Sequence, residues 1–138
     1  MIATNSGFIT VIHKPRVLVV DNDENILSAF EDYLTKKNCM MVGVQTAESG
    51  IKKMKQQCFD LLITDIRANS DLEIKFVLQA KKLQTKLSVI AITSYPEKIS
   101  ESDLKMYGAD YLFIKPLELR KLDKAVNNCL QLNYKKIS

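Results

Sequence analysis

The residues able to do chemistry fall at the ends of short apolar runs. Asp21 closes Val17-Leu18-Val19-Val20 and is followed by Asn22, Asp23 and Glu24. Asp65 closes Leu61-Leu62-Ile63-Thr64, with Arg67 just beyond it. Thr93-Ser94 ends the run Val89-Ile90-Ala91-Ile92, and Lys115-Pro116 ends Tyr111-Leu112-Phe113-Ile114. Singly, each has a plain structural explanation. Asp21 or Asp23 can cap a helix, Thr93 can bond backbone at a strand end, and Lys115 can be a surface lysine. Together they make a cluster of carboxylates, a hydroxyl and an ammonium, which suits phosphoryl transfer. Crowded carboxylates repel one another unless a hard cation such as Mg²⁺ neutralises them, and Mg²⁺ takes oxygen ligands while keeping several waters. One carboxylate can act as a nucleophile and become an acyl phosphate. An ammonium and a hydroxyl then stabilise the charge on the transferred group.

A parallel sheet would bring these residues together. Arg16 to Val20, Met40 to Val44, Leu61 to Ile63, Val89 to Thr93 and Tyr111 to Ile114 are apolar and rich in β-branched residues, as strands buried on both faces must be. Helical spacing fills the intervals. Glu24 to Lys37 puts Ile26, Leu27, Phe30 and Leu34 on one face, with Asn38 as C-cap. Ala47 to Gln57 presents Ile51 and Met54. Leu72 to Leu83 has Ser70 or Asp71 as N-cap. Glu97 to Tyr107 has Pro96 in its first turn and Gly108 as C-cap. Glu118 to Leu132 turns Leu119, Leu122, Val126 and Cys129 inward. Five strands alternating with five helices predict an α/β fold with helices on both faces of a doubly wound parallel sheet. In such sheets the working site lies beyond the carboxyl ends of the strands.

Composition narrows the function classes. The 138 residues are 46% hydrophobic and 26% charged, which suits one compact domain and excludes wholesale disorder. No apolar run approaches the ~20 residues of a membrane span. The 20 basic and 16 acidic residues leave a net charge of +4. Lysines come in scattered pairs such as Lys36-Lys37 and Lys81-Lys82, a solvated surface rather than a nucleic-acid stripe. Cys39, Cys58 and Cys129 form no CxxC, and with His13 remote they suggest buried reduced thiols, no zinc site and a cytoplasmic setting. The N-terminal stretch lacks the basic start of a signal peptide.

Four of these segments, in order, resemble the receiver domain of two-component response regulators. They are Val17 to Asp21, Leu61 to Arg67, Val89 to Ser94, and Gly108-Ala109-Asp110 through Lys115-Pro116. The resemblance covers about Lys14 to Leu132 and implies a flavodoxin-like sheet of order 2-1-3-4-5. It implies Asp65 as phosphoacceptor, Thr93 as switch hydroxyl and Lys115 as partner of the phosphoryl group. It implies Mg²⁺ as cofactor, held by Asp21, Asp65 and the main-chain carbonyl of Arg67, with Asn22 or Asp23 as a further candidate ligand. In that family the Lys-Pro peptide is often cis. The implied role is a signalling switch rather than an enzyme. A histidine kinase or phosphotransfer protein would donate to Asp65. An output protein would read the face of the fourth helix, fifth strand and fifth helix, with no direct nucleic-acid or membrane partner. The expected organisation is an extension over residues 1–13, the receiver domain over 14–133 and a short tail over 134–138, making a single-domain regulator.

Three departures from the family pattern define the alternative. Asn22 stands where a second acid is usual, which should weaken metal binding. Ala68-Asn69-Ser70-Asp71 lacks the usual Pro and Gly and makes a loop about two residues short. Leu112 occupies the position of the usual switch aromatic, while Tyr111 and Phe113 alternate to the other side. Tyr95 is read as loop packing. A degenerate receiver acting as a phosphorylation-independent interaction module is therefore the second reading. A haloacid-dehalogenase-like phosphatase needs an acid two residues after its nucleophile, where Arg67 stands. Asp21-Asn22-Asp23 has that spacing but lacks the cap domain or extra strands. A flavodoxin would want hydroxyls and glycine after the first strand, where Asp21 to Glu24 would repel a phosphate. Phe8 to Ile12 leaves open an edge strand, a cover over one face or a mobile segment.

Overall fold

The computed structural model describes residues 2–5, 8–11, 14–67 and 71–131. Strands β1 (Ile2–Asn5) and β2 (Phe8–Val11) pair antiparallel as a separate two-stranded sheet. The apolar stretch from Phe8 thus pairs with Ile2–Asn5, not with the edge of the main sheet. The main sheet holds β3 (Arg16–Val20), β4 (Met40–Val44), β5 (Leu61–Asp65), β6 (Ser88–Thr93) and β7 (Tyr111–Ile114). All four pairings are parallel, in the order β4-β3-β5-β6-β7, which is the 2-1-3-4-5 order of the flavodoxin-like fold. Helices α1 (Glu24–Lys36), α2 (Ala47–Gln56), α3 (Asp71–Leu83), α4 (Glu101–Tyr107) and α5 (Leu119–Leu130) connect and cover the strands.

Alternation along each strand divides the core into two layers. Val17, Val19, Leu61, Ile63, Ile90 and Ile92 pack against Phe30 and Leu34 of α1 and Leu122 and Val126 of α5. Leu18, Val20, Leu62, Val89 and Ala91 pack against Met54 of α2, Phe76, Val77 and Ala80 of α3, and Leu104 of α4. Burial of a large aliphatic side chain contributes about 1.5–3 kcal/mol. The central strands β3 and β5, nearly all of whose residues are buried, therefore anchor the whole. Leu112 joins the second layer, while Tyr111 and Phe113 lie in the first with ring centroids 6.2 Å apart.

Several expectations need correction. The segment expected as one helix from Glu97 is a 3₁₀ turn over Pro96–Lys98 followed by α4. Ser100 interrupts it by capping α4, its hydroxyl accepting the Asp103 N–H at 3.2 Å. Gly108 ends α4 at φ 116°, where a Cβ would lie 2.7 Å from Lys81 Cγ. α1 ends at a Lys37 C-cap, and Asn38 follows in the left-handed region at φ 62°. Leu119 is 73% exposed, because it opens α5 at the rim, off the inward stripe of Leu122, Ala125 and Val126. Cys39 is buried and Cys129 half-buried, but Cys58 is exposed, since Phe59 takes the inward position after α2. Tyr95 is 43% exposed with Lys98 Nζ 5.7 Å from its ring centre, so it projects instead of filling the loop. The candidate cap Ser70 and the short loop through residues 68–70 lie outside the described residues.

Candidate functional site

The carboxyl ends of β3, β5, β6 and β7 meet at one rim. Asp21 follows β3, and its N–H extends the pairing to the Val44 carbonyl at 3.0 Å. Its side chain is 6% exposed, and Oδ1 accepts the Asp23 N–H at 2.9 Å. Asp23 Oδ1 in turn accepts the Asn25 N–H at 2.8 Å and caps α1. Asp23 thus serves the helix start through Oδ1. Asn22 is exposed and lines the cleft beside Asp21, its carbonyl accepting from Gln45 Nε2 at 3.4 Å.

Asp65 is the last residue of β5, and the next N–H, of Ile66, bonds the Ile92 carbonyl at 2.7 Å. Lys115 Nζ lies 3.2 Å from Asp65 Oδ1 and 3.4 Å from Asp21 Oδ2, so one ammonium bridges both carboxylates. The Lys115–Pro116 peptide is cis, as in many members of the family resembled. Thr93 is fully buried and its Oγ1 accepts the Tyr95 N–H at 2.9 Å. Its link to Lys115 runs through the main chain, from the Lys115 N–H to the Thr93 carbonyl at 2.8 Å. The structure therefore brings Asp21, Asp65 and Lys115 into direct contact and sets Thr93 beside them.

Arg67 adds a second cation. Its Nε lies 3.8 Å from Asp65 Oδ2 and 3.7 Å from Glu73 Oε2. Glu73 Oε1 also accepts the Arg67 N–H at 2.6 Å. Glu73 is a site residue that sequence reasoning missed. An acid in the first turn of a helix is ordinary, and nothing in the pattern shows that its side chain turns back across the loop.

The charges explain the electrostatics. Burial pushes the Asp65 carboxyl above the usual carboxylate range, against the pull of Lys115, and Asp21 raises it further. Burial pulls the Lys115 ammonium down, but the Asp65 and Asp21 carboxylates more than reverse this, leaving it above the usual lysine value. Burial also raises Glu73, opposed by its bond to the Arg67 N–H. Three carboxylates thus meet two cations, Lys115 and Arg67. Asp21, Asn22, Asp65, Arg67 and Glu73 also line a cleft of about 330 Å³. Among the described residues no three His, Cys, Asp or Glu side chains converge to make an all-protein metal cage. Mg²⁺ does not require one, since it binds through one or two carboxylates and retained waters. The donor set present fits that ion.

A family description, the response regulator receiver domain, matches residues 17–127. The chain belongs to this family. Receiver domains are signalling modules of two-component systems. Among curated relatives, the chain is 23% identical over 120 residues to the transcriptional regulatory protein GlrR of Escherichia coli K12, covering 86% of this chain and 27% of that protein. It is 24% identical over 124 residues to the probable C4-dicarboxylate response regulator DctR of Bacillus subtilis, covering 87% of this chain and 54% of that protein. The chain thus spans about a quarter to a half of the length of these relatives. A solved receiver domain (CheY-like) from Methanospirillum hungatei is 27% identical with a TM-score of 0.76, covering 87% of this chain and 96% of that one. The response regulator TrrA of Thermotoga maritima, solved in complex with Mg²⁺-BeF, is 24% identical with a TM-score of 0.72 over 83% of this chain and 98% of that one. The receiver fold and its order of strands agree with these structures. No helix among the described residues is long and apolar enough to cross a membrane.

Proposed function

We propose that this receiver domain is a phosphorylation-controlled switch with Asp65 as phosphoacceptor. The observation that carries the reading is Lys115 Nζ within 3.4 Å of both Asp65 and Asp21 at the strand ends. A histidine kinase or phosphotransfer protein presents a phosphohistidine. An Asp65 carboxylate oxygen forms the new P–O bond as the P–N bond breaks, and the donor leaves as a neutral imidazole whose other ring nitrogen carries a proton from solvent. Lys115 then shifts its charge onto the phosphoryl oxygens. The Asp21 and Asp65 carboxylates and the Arg67 carbonyl would hold Mg²⁺. When bound, that ion supplies positive charge against the transferring oxygens and lets two carboxylates share one rim.

Phosphorylation adds roughly −1.5 to −2 charges at this point. Thr93 exchanges its bond from Tyr95 for one to the phosphoryl group, which links the site to the β6–α4 loop. The face of α4, β7 and α5 is suited to an output protein. Met106 of α4 and Ile114 of β7 expose large apolar side chains there, at 75% and 50% exposure. Converting a 1:99 population into 99:1 takes about 5.5 kcal/mol of differential interaction. The protein works as a regulator in the cytoplasm and acts through protein partners.

The test is intact-mass spectrometry after incubation with acetyl phosphate across a Mg²⁺ titration, with Asp65→Asn as control. The expected result is one phosphoryl adduct that requires Mg²⁺ and is absent from the variant. No adduct from folded protein at saturating Mg²⁺ would overturn the switch. Asn22 would then favour the second reading, an interaction module that works without phosphorylation.

A further inference from the structure

We infer that Glu73 is a positioning residue for the Mg²⁺ site, acting by anchoring the main chain of Arg67; the role rests on the metal site proposed above. Arg67 and Glu73 stand on opposite sides of the connection between β5 and α3. Glu73 Oε1 accepts the Arg67 N–H at 2.6 Å. A carboxylate accepting a backbone N–H belongs to the stronger class of hydrogen bonds. Its other oxygen lies 3.7 Å from Arg67 Nε, and the Arg67 side chain is 49% exposed. Exposed ion pairs contribute little, so the bond to the N–H outweighs the contact with the guanidinium.

The geometry ties the chain just after Asp65 to the first turn of α3. Arg67 would otherwise be held on its upstream side by the Ile66 N–H bond to Ile92. With Glu73 in place, the residue that offers the carbonyl ligand is fixed at its own amide as well. This matters more here than in a site with three carboxylates, because Asn22 leaves only two acids beside the carbonyl. A metal ligand supplied by main chain is no better placed than the backbone that carries it. Helix-dipole stabilisation alone would explain a first-turn acid, but it would not require the side chain to turn back onto Arg67.

Variants separate reach from charge. Mg²⁺ binding is read by titration calorimetry on the full chain, with unfolding temperature measured alongside. Glu73→Asp keeps the charge and the first-turn acid but is one methylene too short to reach the Arg67 N–H. It should weaken Mg²⁺ binding about tenfold, the size of one lost charge-assisted bond. Glu73→Gln keeps the reach and the acceptor oxygen but loses the charge, and should fall between wild type and Glu73→Asp. The inference is overturned if Glu73→Asp binds like wild type, if Glu73→Gln falls as far as Glu73→Asp, or if the wild-type chain binds no Mg²⁺. Mg²⁺ binding with this pattern but no adduct on Asp65 would overturn only the phosphorylation reading.

Discussion

At the entry end of the strands, Asp60 Oδ2 accepts the Arg16 N–H at 2.8 Å, and Asp110 Oδ2 accepts the Val89 N–H at 2.8 Å. Gln84 accepts the Phe59 N–H at 2.8 Å and donates to the Met54 and Gln57 carbonyls at 3.0 and 2.9 Å. Lys81 donates to the Leu87 carbonyl at 2.5 Å. At the exit end, Asp65 meets Lys115 at 3.2 Å and Arg67 at 3.8 Å, charge against charge. Both ends use acids and lysines, and Lys81 Nζ also lies 3.5 Å from Asp110 Oδ2, but the close contacts of the entry end run to backbone. A side chain bonded to backbone closes a turn that the chain would otherwise leave unsatisfied. Charged side chains facing one another across a cleft can exchange partners when a ligand arrives. The entry end is therefore expected to govern stability and the exit end chemistry.

Asp65→Asn tests that division most severely. It should abolish the phosphoryl adduct without lowering the unfolding temperature of the metal-free protein at neutral pH. Burial holds the Asp65 carboxyl above its ordinary value of 3.8, so the favourable contribution of its protonated form is complete below that value and is lost as pH rises through the raised one. Ionised Asp65 thus costs stability at pH 7, and a fall in unfolding temperature on substitution would break the comparison. Gln84→Ala is the counterpart. Losing three backbone partners should cost about 2–3 kcal/mol in denaturant unfolding, while the adduct on Asp65 still forms. Asn22→Asp should tighten Mg²⁺ binding several-fold by calorimetry, since it adds a third carboxylate to the metal side of the rim.

The smallest effect is expected on the flank between α1 and α5. Tyr33 donates to Asp123 Oδ1 at 2.5 Å, and Lys37 Nζ lies 2.8 Å from the same oxygen. The Lys37 and Tyr33 hydrogen bonds hold the Asp123 carboxyl below its ordinary value. Its contribution is therefore complete above 3.8 and is lost as pH falls through the lowered value. Asp123→Asn should cost about 0.5 kcal/mol at neutral pH, because the Asp123 side chain is 43% exposed and solvent screens the contact. Unfolding temperatures of the two proteins should converge in acid. A difference that widens in acid would show that the contact works by something other than the ionised carboxylate.

Much of this was legible in the linear order of residues. Strands buried on both faces need continuous apolar runs, and Val17 to Val20 or Val89 to Ile92 have no other reasonable use. Alternation of such runs with helical spacing determined the α/β class. The change from apolar run to Asp21, Asp65, Thr93 and Lys115 marked the rim, because a parallel sheet brings all its strand ends to one edge. Local pattern reports which face of an element is buried. It does not report how a side chain crosses a loop or where a helix breaks. Only the tertiary structure decided that Ser100 interrupts the segment before α4, that Cys58 and Leu119 point outward, and that Phe8–Val11 pairs with Ile2–Asn5. It likewise decided that Asp23 caps α1 and that Glu73 reaches back to Arg67. Those outcomes depend on the path of the backbone between elements, not on the residues at each position alone.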